Sequence, residues 1–387
     1  MKRRELLRLL GGSGLLVALT ACAHVARNFL PLGRNSGSSP GADLDPDGVW
    51  REGVAFARWS PSVHNIQPWR IRVTSPLTGE VYYDPKRLLP NTDATSAFST
   101  IGMAIFVEYF AIAIRARGYA VDVNYEKSAL SSERSGPTLF ASLSLRPETI
   151  TAPVVDRQLI MQRRTSRVPY DGQPVDAQVL RSIAATGRAH GQEFNWSSDS
   201  SNVNWLMALN RDMLFEDLQD SVTRTELQRW IRFTDEQAET ARDGLWSRCL
   251  NVPGWLLQAF FEKPSTWSHG WRRKICGSML MKTMRGTRTI AWISGPFAGT
   301  EDWINCGVML GRCWLELTRQ GIGLHPFGTL ITNRSARAQM NKKFSIEDNG
   351  KQLWLVFRVG KSAMPPRSLR RDSSAIFLDP PSLEHTV

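Results

Sequence analysis

Two stretches of the chain share one pattern of apolar and polar positions. In 302–327, apolar or small residues fall at positions 303, 307, 310, 314 and 317, which is the spacing of one helix face. The stretch 97–123 matches it at a constant offset of 205 residues, so that Gly102 aligns with Gly307 and Gly118 with Gly323. The pattern predicts two long buried helices, each followed by an extended apolar segment. We expect the first glycine of each pair to allow close helix packing and the second to end its helix.

The segments before these helices also correspond. Residues 49–73 predict a helix, a polar turn and a strand, whereas 174–198 predict a similar helix and strand without that turn. A polar stretch at 162–172 has no counterpart in the first half. Each half thus lacks a polar stretch that the other half keeps. This is the pattern expected if the two subunits of a two-fold dimer had fused and one of their two shared sites had been lost. The alternative is chance similarity between two amphipathic helices. We favour an α+β fold with two repeats in one chain, each a mixed β-sheet flanked by helices.

Changes in composition divide the chain into segments. The stretch 34–48 is rich in glycine, serine and proline and predicts a flexible tether. The predicted segments are a signal at 1–22, a tether at 23–46, a first repeat at 47–150, a second repeat at 151–372 with a helical insertion at 221–290, and a C-terminal tail at 373–387.

The first residues predict export. Arg3 and Arg4 precede an apolar run of signal-core length, which is typical of the twin-arginine route. The sequence LTAC ends at Cys22 and is similar to a lipobox, in which the cysteine is acylated and becomes the new N-terminus. The alternative is an uncleaved membrane anchor, although Arg8 and several glycines interrupt the run. We favour a lipoprotein of the periplasm or cell envelope, lipid-anchored at Cys22.

The net charge and the cysteine spacing limit which ligands and partners we expect. The 387 residues are 42% hydrophobic and carry a net charge of +12, spread along the chain rather than gathered in one run. This charge is either an ordinary basic surface or an attraction to phosphates or a membrane, and without a nucleic-acid motif we expect no nucleic-acid partner. No metal-ligand spacing occurs, so we predict no metal site. We expect buried thiols at Cys249, Cys276, Cys306 and Cys313.

Two short stretches carry candidate chemistry. RRTSR, from Arg163 to Arg167, places three guanidinium groups and the Thr165 hydroxyl within five residues, and guanidinium forks fit phosphate geometry. The alternative is a solvated helix start. SPSVHNIQPWRIRV, from Ser60 to Val73, gathers many hydrogen-bonding side chains in one connection between a helix and a strand.

These motifs together resemble one protein family. RRTSRVPYDGQPVDAQVL resembles the opening motif of nitroreductase-family flavoproteins, and SPSVHNIQPWRIRV resembles that family's second motif. Their order is inverted here, which is similar to the Acg-like branch, in which one chain imitates the nitroreductase homodimer. The resemblance covers about 47–372 and is weak across the insertion.

The resemblance implies FMN as the cofactor and assigns residues to it. The implied phosphate and pyrimidine contacts are Arg163, Arg164, Thr165 and Arg167. The implied contacts from the opposite half, along the ring and ribityl chain, are Pro61, Ser62, Val63 and Asn65. LHPFGT would pack on the flavin through Pro326, Phe327 and Gly328, and the loop would offer one backbone N–H toward N5. PPRSLRR resembles a final phosphate clamp and implies Arg367 and Arg370. His64 is either a substrate contact or a turn-stabilising imidazole.

The insertion is rich in tryptophan and arginine. Its five tryptophans include Trp255 and Trp271, and WRRK follows at 271–274. The segment could form a lid over the flavin, an amphipathic surface that touches membrane, or ordinary helical packing. We favour a lid as its function.

The implied activity is that of an exported FMN-dependent oxidoreductase. It would transfer hydride through flavin N5 to or from a small conjugated organic substrate, with NAD(P)H or another electron donor, and without a catalytic side chain. We expect a monomer acting as a pseudo-dimer. The alternatives are a protein that binds and sequesters FMN without turnover, and a flavin-dependent dehydrogenase of a peptide or natural product.

Overall fold

The computed structural model describes residues 46–149, 155–346 and 350–378. The predicted signal, most of the tether and Cys22 lie outside these ranges. The strands are β1 (Trp69–Ser75), β2 (Thr78–Tyr83), β3 (Tyr119–Tyr125), β4 (Thr138–Pro147), β5 (Glu193–Ser197), β6 (Ile231–Arg232), β7 (Leu245–Trp246), β8 (Thr289–Gly295), β9 (Gly323–Pro326) and β10 (Gln352–Gly360). The helices are α1 (Pro46–Ala57), α2 (Ala97–Arg115), α3 (Gln158–Gln162), α4 (Ala177–Ala189), α5 (Ser200–Asp217), α6 (Ser221–Arg229), α7 (Asp235–Ala241), α8 (Ser247–Leu250), α9 (Gly254–Glu262), α10 (Pro264–Trp267), α11 (Gly270–Thr283), α12 (Thr300–Arg319), α13 (Thr329–Thr332) and α14 (Arg334–Lys343).

Two four-stranded sheets have the same strand order. The first sheet runs β1-β2-β4-β3 and the second runs β5-β8-β10-β9, with antiparallel neighbours throughout. In each sheet a long helix, α2 or α12, connects the second strand in the chain to the third. Every residue of β8 is buried, because both faces of the second sheet are covered. The predicted α+β class is confirmed, but the prediction of mixed sheets is wrong for the named strands of these two sheets, because all their pairings are antiparallel.

The helices α2 and α12 pack against each other in the main core. A Cβ added at Gly307 of α12 would lie 2.6 Å from the Cβ of Ala104 of α2, so only glycine allows this approach. The prediction for Gly307 is therefore confirmed. By length and composition α2 could cross a membrane, but 78% of its apolar window is buried in the protein, as in a core helix.

The other predicted glycine roles hold only in part. Gly102 faces the polar turn instead of α12, because a Cβ there would lie 3.4 Å from Ser62, so that prediction is wrong. Gly118 has a φ of 81° just after α2, as a helix-ending glycine should. After α12 the left-handed residue is Gly321, with a φ of 68°, while Gly323 begins β9 against Ser166. The prediction that Gly323 ends the helix is wrong.

Two segments join sheets that are distant from them in sequence. The Ile71 N–H donates to the Ile376 carbonyl at 3.0 Å, and the Leu378 N–H donates to the Ile71 carbonyl at 2.8 Å. The predicted C-terminal tail thus adds a short parallel strand beside β1. On the second sheet, the Ser166 N–H donates to the Leu324 carbonyl of β9 at 2.9 Å. The RRTSR stretch is thereby fixed along the edge of the second sheet.

The insertion lies between β5 and β8. In the first sheet the corresponding strands β1 and β2 are joined by a tight turn, whereas here α5 to α11 intervene. The inserted helices begin at Ser200, earlier than the 221 expected from the sequence. Asp243 of the insertion pairs with Arg232 of the insertion and with Arg87 of the first half. Glu226 accepts hydrogen bonds from the backbone and side chains of Asn91 and Thr92. These contacts fix the insertion to the first half.

Candidate flavin site

The polar turn before β1 has an unusual backbone. His64, Asn65 and Gln67 have φ values of 46°, 58° and 49°, in the left-handed region that favours glycine. Such residues cost on the order of 1–3 kcal/mol each and persist only where surrounding contacts hold them. The turn is therefore a built feature of the fold, and its polar side chains must supply the contacts that hold it.

Those contacts come from three parts of the chain. Within the turn, the Gln67 N–H donates to Ser62 Oγ at 3.1 Å. From the insertion, the Gly244 carbonyl accepts from Asn65 Nδ2 at 3.0 Å, and the Gly244 N–H donates to the Asn65 carbonyl at 3.2 Å. From the C-terminal segment, the Leu369 carbonyl accepts from Asn65 Nδ2, and the Arg371 N–H donates to Gln67 Oε1. The Nδ2 of the predicted ligand Asn65 thus donates to protein backbone, whereas its Oδ1 is buried without a hydrogen-bond partner among the described residues.

Three other residues of the turn, Pro61, Ser62 and Val63, pack against different parts of the protein. Val63 packs with Ile66, Leu89 and Trp230, the last of which belongs to the insertion. Ser62 and Pro61 lie over Gly102 of α2. Whether these residues line a cofactor stays a prediction.

The structure brings three of the predicted arginines to Trp59, and a fourth, Arg164, lies within electrostatic reach of two of them. We call Arg163, Arg164, Arg367 and Arg370 the arginine cluster. The Arg163 guanidinium lies 4.6 Å from the Trp314 ring and donates through Nη2 to the Trp59 carbonyl at 3.0 Å. Its Nε and Nη1 are buried without a hydrogen-bond partner among the described residues.

The C-terminal arginines approach the same tryptophan. The Arg367 guanidinium carbon lies 3.2 Å from the centre of the Trp59 ring. Arg370 is 4% exposed and donates through Nη2 to the Ser60 carbonyl at 3.1 Å. In the part of the chain that the structure describes, the Nε atoms of both arginines are buried and unpartnered. Buried donors without acceptors are rare in proteins, so this group of donors has unused capacity for an acceptor.

The pKa values of the arginine cluster also indicate that its positive charges lack a counter-charge. Burial, followed by the neighbouring guanidiniums, lowers the pKa of Arg164 to about 10 and that of Arg367 to about 9. The same two causes hold the pKa of Arg370 well below its ordinary value. The nearby carboxylate of Asp372 is half-exposed and lies 3.9 Å from Arg58, beside the cluster rather than within it. A dianion such as a phosphate monoester supplies both the missing charge and the missing acceptors.

Thr165 and Arg167 lie apart from the arginine cluster. Thr165 pairs with Leu324 at the edge of the second sheet. Arg167 donates through Nη1 to the Cys249 carbonyl of the insertion at 3.4 Å, and burial lowers its pKa. Its charge acts on His64 of the turn and on His325 of β9, lowering the pKa of both imidazoles. Arg167 therefore joins the turn, the insertion and the second sheet.

His64 is a neutral imidazole at ordinary pH. Burial lowers the pKa of His64 to about 4, while Glu226 and Arg167 act on it with opposite signs. A neutral ring can donate or accept a hydrogen bond but carries no charge toward a substrate.

A buried network beside Arg167 was missed by sequence reasoning. Arg358 of β10 is fully buried and donates to His325 Nδ1 at 3.1 Å, to Thr287 Oγ1 at 3.1 Å and to the Val168 carbonyl at 3.0 Å. Its guanidinium also lies 4.2 Å from the Tyr170 ring. Burial holds the pKa of His325 well below its ordinary value. With Nδ1 accepting from Arg358, the proton of this neutral ring is on Nε2.

A sequence signal for this network does exist. Arg358 interrupts the otherwise apolar run LWLVFRVG, and an arginine inside a buried strand requires partners.

The predicted loop at 326–328 follows β9 directly. Phe327 is 3% exposed, and its N–H donates to the Val356 carbonyl at 2.8 Å. That N–H is therefore taken by the protein. Gly328 is exposed and precedes the short helix α13, which makes its N–H the better candidate donor to a ligand.

The described cysteines and acidic residues bear on the predictions of buried thiols and of no metal site. Cys249, Cys276, Cys306 and Cys313 are buried free thiols, which confirms that prediction. Across the described ranges no group of three His, Cys, Asp or Glu residues could hold a metal ion.

The chain is similar to proteins with related names. Over 304 residues it is 25% identical to "Probable NAD(P)H nitroreductase PigM" of a Serratia species, covering 74% of this chain and 82% of that protein. It is 26% identical over 143 residues to "Putative NAD(P)H nitroreductase acg" of Mycobacterium tuberculosis, covering 35% of this chain and 41% of that protein. A solved nitroreductase with bound FMN from Bacteroides fragilis shares 14% identity, covers 53% of this chain and 87% of that chain, and gives a TM-score of 0.31.

A sequence model described as the nitroreductase family matches residues 160–361. The match begins just before RRTSR, ends after β10 and includes the insertion. Because it spans more than half of the chain, this protein belongs to the nitroreductase family.

Proposed function

We propose that this member of an oxidoreductase family holds one FMN between the two halves of a single chain and acts on a small conjugated organic substrate. NAD(P)H is the proposed electron donor. When bound, FMN supplies an atom, N5, that accepts and donates hydride, and the protein supplies position and electrostatics. The residues present fit this cofactor, as set out below.

The arginine cluster is the observation that carries the proposal. Its members come from two distant stretches, RRTSR and the C-terminal segment, and they meet at Trp59 and Ser60 of the first half. Together they offer buried donors and several positive charges within a partly apolar wall. A 5′-phosphate would accept from these donors and restore the charge balance.

Around the proposed ring, the chain supplies neutral donors and one cation. Arg167 would lie at the pyrimidine edge, where its charge favours electron density on the ring. His325 Nε2–H and the Gly328 N–H are the donors that the second sheet presents. His64 stays neutral in the turn and would contact substrate without adding charge.

Two observations support a fused pseudo-dimer of the Acg-like kind. The sheets share one strand order, and each has a long helix at the same point of the chain path. The C-terminal strand at 376–378 crosses to the first sheet, as a subunit arm would cross to its partner. We propose a monomer that does the work of two subunits.

The first test is the contribution of the phosphate. The flavin-free full chain is titrated with FMN and with riboflavin, and binding is followed by quenching of flavin fluorescence. Hydrogen bonds to charged groups contribute about 1.5–3 kcal/mol each, so two of them predict FMN binding roughly 100-fold or more tighter than riboflavin. Equal affinities would overturn the phosphate assignment, and a protein that binds neither flavin would overturn the proposal.

The second test separates turnover from sequestration. The insertion pairs with the turn through Gly244 and with the first half through Asp243 and Glu226, and these contacts favour a cover over that side of the site. Reduction of the bound FMN by NAD(P)H and its reoxidation by a nitroaromatic compound or a quinone support the enzyme. Tightly bound FMN that does neither supports the second candidate, an FMN-sequestering protein.

Export to the periplasm or cell envelope is a separate part of the proposal. It rests on Arg3, Arg4 and the lipobox-like sequence that ends at Cys22. Replacing both arginines by lysine should keep the chain in the cytoplasm, whereas Cys22→Ala should remove only the lipid anchor. Cell fractionation of both variants measures this, and unchanged membrane recovery of Cys22→Ala would contradict acylation at that residue.

A further inference from the structure

We propose that the outer face of α11 in the insertion binds the surface of an anionic lipid bilayer. Trp271 is 61% exposed and Ile275 is 43% exposed, and both lie on one side of the helix because they are four residues apart. A single exposed apolar side chain is common, but adjacent ones that form a patch rimmed by polar residues mark a surface that meets a partner. This inference does not depend on the proposed flavin chemistry.

The same helix is strongly basic. Its sequence, GWRRKICGSMLMKT, contains four cationic residues and no carboxylate. Arg272, Lys274 and Lys282 are exposed, while Arg273 turns back to Asp212 of α5 at 3.2 Å. Charge complementarity therefore selects a negatively charged surface as the partner.

The inner face of α11 already has its packing partners. Cys276 and Gly277 are buried, and a Cβ at Gly277 would lie 3.1 Å from Arg211 of α5. Leu280 packs against the core cluster under the second sheet. The outer face is thus not needed to hold the helix in place.

A lipid headgroup layer fits this mixture better than a protein groove. The Arg272 guanidinium lies 5.1 Å from the Trp271 ring, so cation and aromatic ring form one unit. Tryptophan prefers the boundary between headgroups and hydrocarbon, and the long stems of lysine and arginine can cover apolar surface while their charges reach phosphate. The neighbouring helix α9 presents a further tryptophan, Trp255, at 68% exposure.

The test places a reporter on the proposed face of the full-length protein. Ser278 is exposed and lies one turn beyond Lys274 on the same face. In a Cys22→Ala background the four remaining cysteines are buried, so Ser278→Cys can be labelled selectively with an environment-sensitive fluorophore. The matched control carries the label at Ser182→Cys, an exposed position on α4.

On vesicles of phosphatidylglycerol and phosphatidylcholine, the label at 278 should shift to shorter wavelength, and the label at 182 should not. Arg272→Glu with Lys274→Glu should weaken this response roughly tenfold or more in lipid concentration, because each cation near an anionic surface contributes about 1 kcal/mol. Arg181→Glu with Arg188→Glu changes the net charge equally on α4 and should leave the response at 278 unchanged.

Several outcomes would overturn the inference. They are an unshifted label at 278 on anionic vesicles, equal shifts at 278 and 182, or equal weakening by the two charge reversals, which would show attraction by net charge alone. A shift that grows with protein concentration without vesicles would show that a second copy covers this face. Trp271→Ala with Ile275→Ala should abolish the shift at high salt, where only the apolar contact remains.

Discussion

Two groups of buried arginines in this protein have opposite environments. Arg87 and Arg232 share the carboxylate of Asp243, which is 8% exposed, and together they fix the insertion to the first half. The arginine cluster has unpartnered buried donors and no carboxylate within it. The first group has its counter-charge within the protein, although Arg232 Nε is also buried and unpartnered among the described residues, whereas the second group has no carboxylate of its own. In this sense we call the first group complete and the second incomplete. The difference distinguishes arginines that stabilise the fold from arginines that we propose bind an anion.

The largest expected effect is on the complete group. Asp243→Asn leaves two guanidiniums buried without their counter-charge, and it should lower the free energy of unfolding by about 3–5 kcal/mol. Urea unfolding followed by circular dichroism measures this. A loss smaller than that of an exposed ion pair would remove the contrast between the two groups.

The incomplete group should respond in the reverse way. Arg367→Met keeps the contact with Trp59 but removes a charge, so FMN affinity should fall roughly 10- to 100-fold while riboflavin affinity is unchanged. The free energy of unfolding of the flavin-free protein should not fall, because an uncompensated buried charge is removed.

Arg248→Met is the matched control for that variant. Arg248 also lies over a tryptophan, Trp246, but it pairs with Asp235. Its loss should leave FMN affinity unchanged. Equal losses of FMN affinity in the two variants would show that the arginine cluster has no special role.

Two charged groups act on His64 with opposite signs: Glu226 of the insertion raises its pKa, and Arg167 of the proposed site lowers it. Its pKa is about 4 in the folded protein, against the ordinary value near 6.5 when unfolded. Below pH 6.5 the unfolded chain binds the proton first, so stability contributed by the neutral ring is lost as the pH falls toward 4.

This loss should amount to about 1–3 kcal/mol between pH 7 and pH 4. His64→Asn, which tolerates a left-handed φ, should lack this part of the pH dependence. The measurement is the difference in unfolding free energy between the two proteins at each pH, which cancels other titrating groups. A constant difference would contradict a buried neutral His64.

The smallest expected effect concerns Asp372, whose carboxylate lies beside the arginine cluster. Asp372 is half-exposed and contacts Arg58 and Arg242, so Asp372→Asn should change the free energy of unfolding by less than about 1 kcal/mol. FMN affinity should rise slightly, because a negative charge near the phosphate is removed. A fall in affinity would place Asp372 among the residues that organise the site.

Local periodicity and short motifs predicted much of this molecule. The apolar spacing at 303–317 is set within one helix, and α12 covers it. The arginine cluster was assembled from two motifs that the resemblance brought together, and its binding role stays a prediction. These features are readable because each is carried by neighbouring residues.

The features that the sequence did not predict depend on contacts between elements that are distant in the chain. Arg358 meets His325 only because β10 pairs with β9 in one register, and it meets the Val168 carbonyl because 165–166 joins that edge. Gly102 was expected to face α12, but the first half keeps its polar turn there and the glycine accommodates Ser62. Alignment of the two halves could not show which neighbour each glycine would have.

The parallel strand at 376–378 also sets a time order for the maturation of the protein. Arg367, Arg370 and this strand are among the last described residues to be synthesised, yet they complete the site around Trp59 and close the edge of the first sheet beside Ile71. Until the chain has been made as far as this strand, most of the fold can form but the proposed flavin site cannot. The proposed site is therefore completed late in synthesis, and a chain truncated just before Arg367, although it keeps every described helix, should stay colourless.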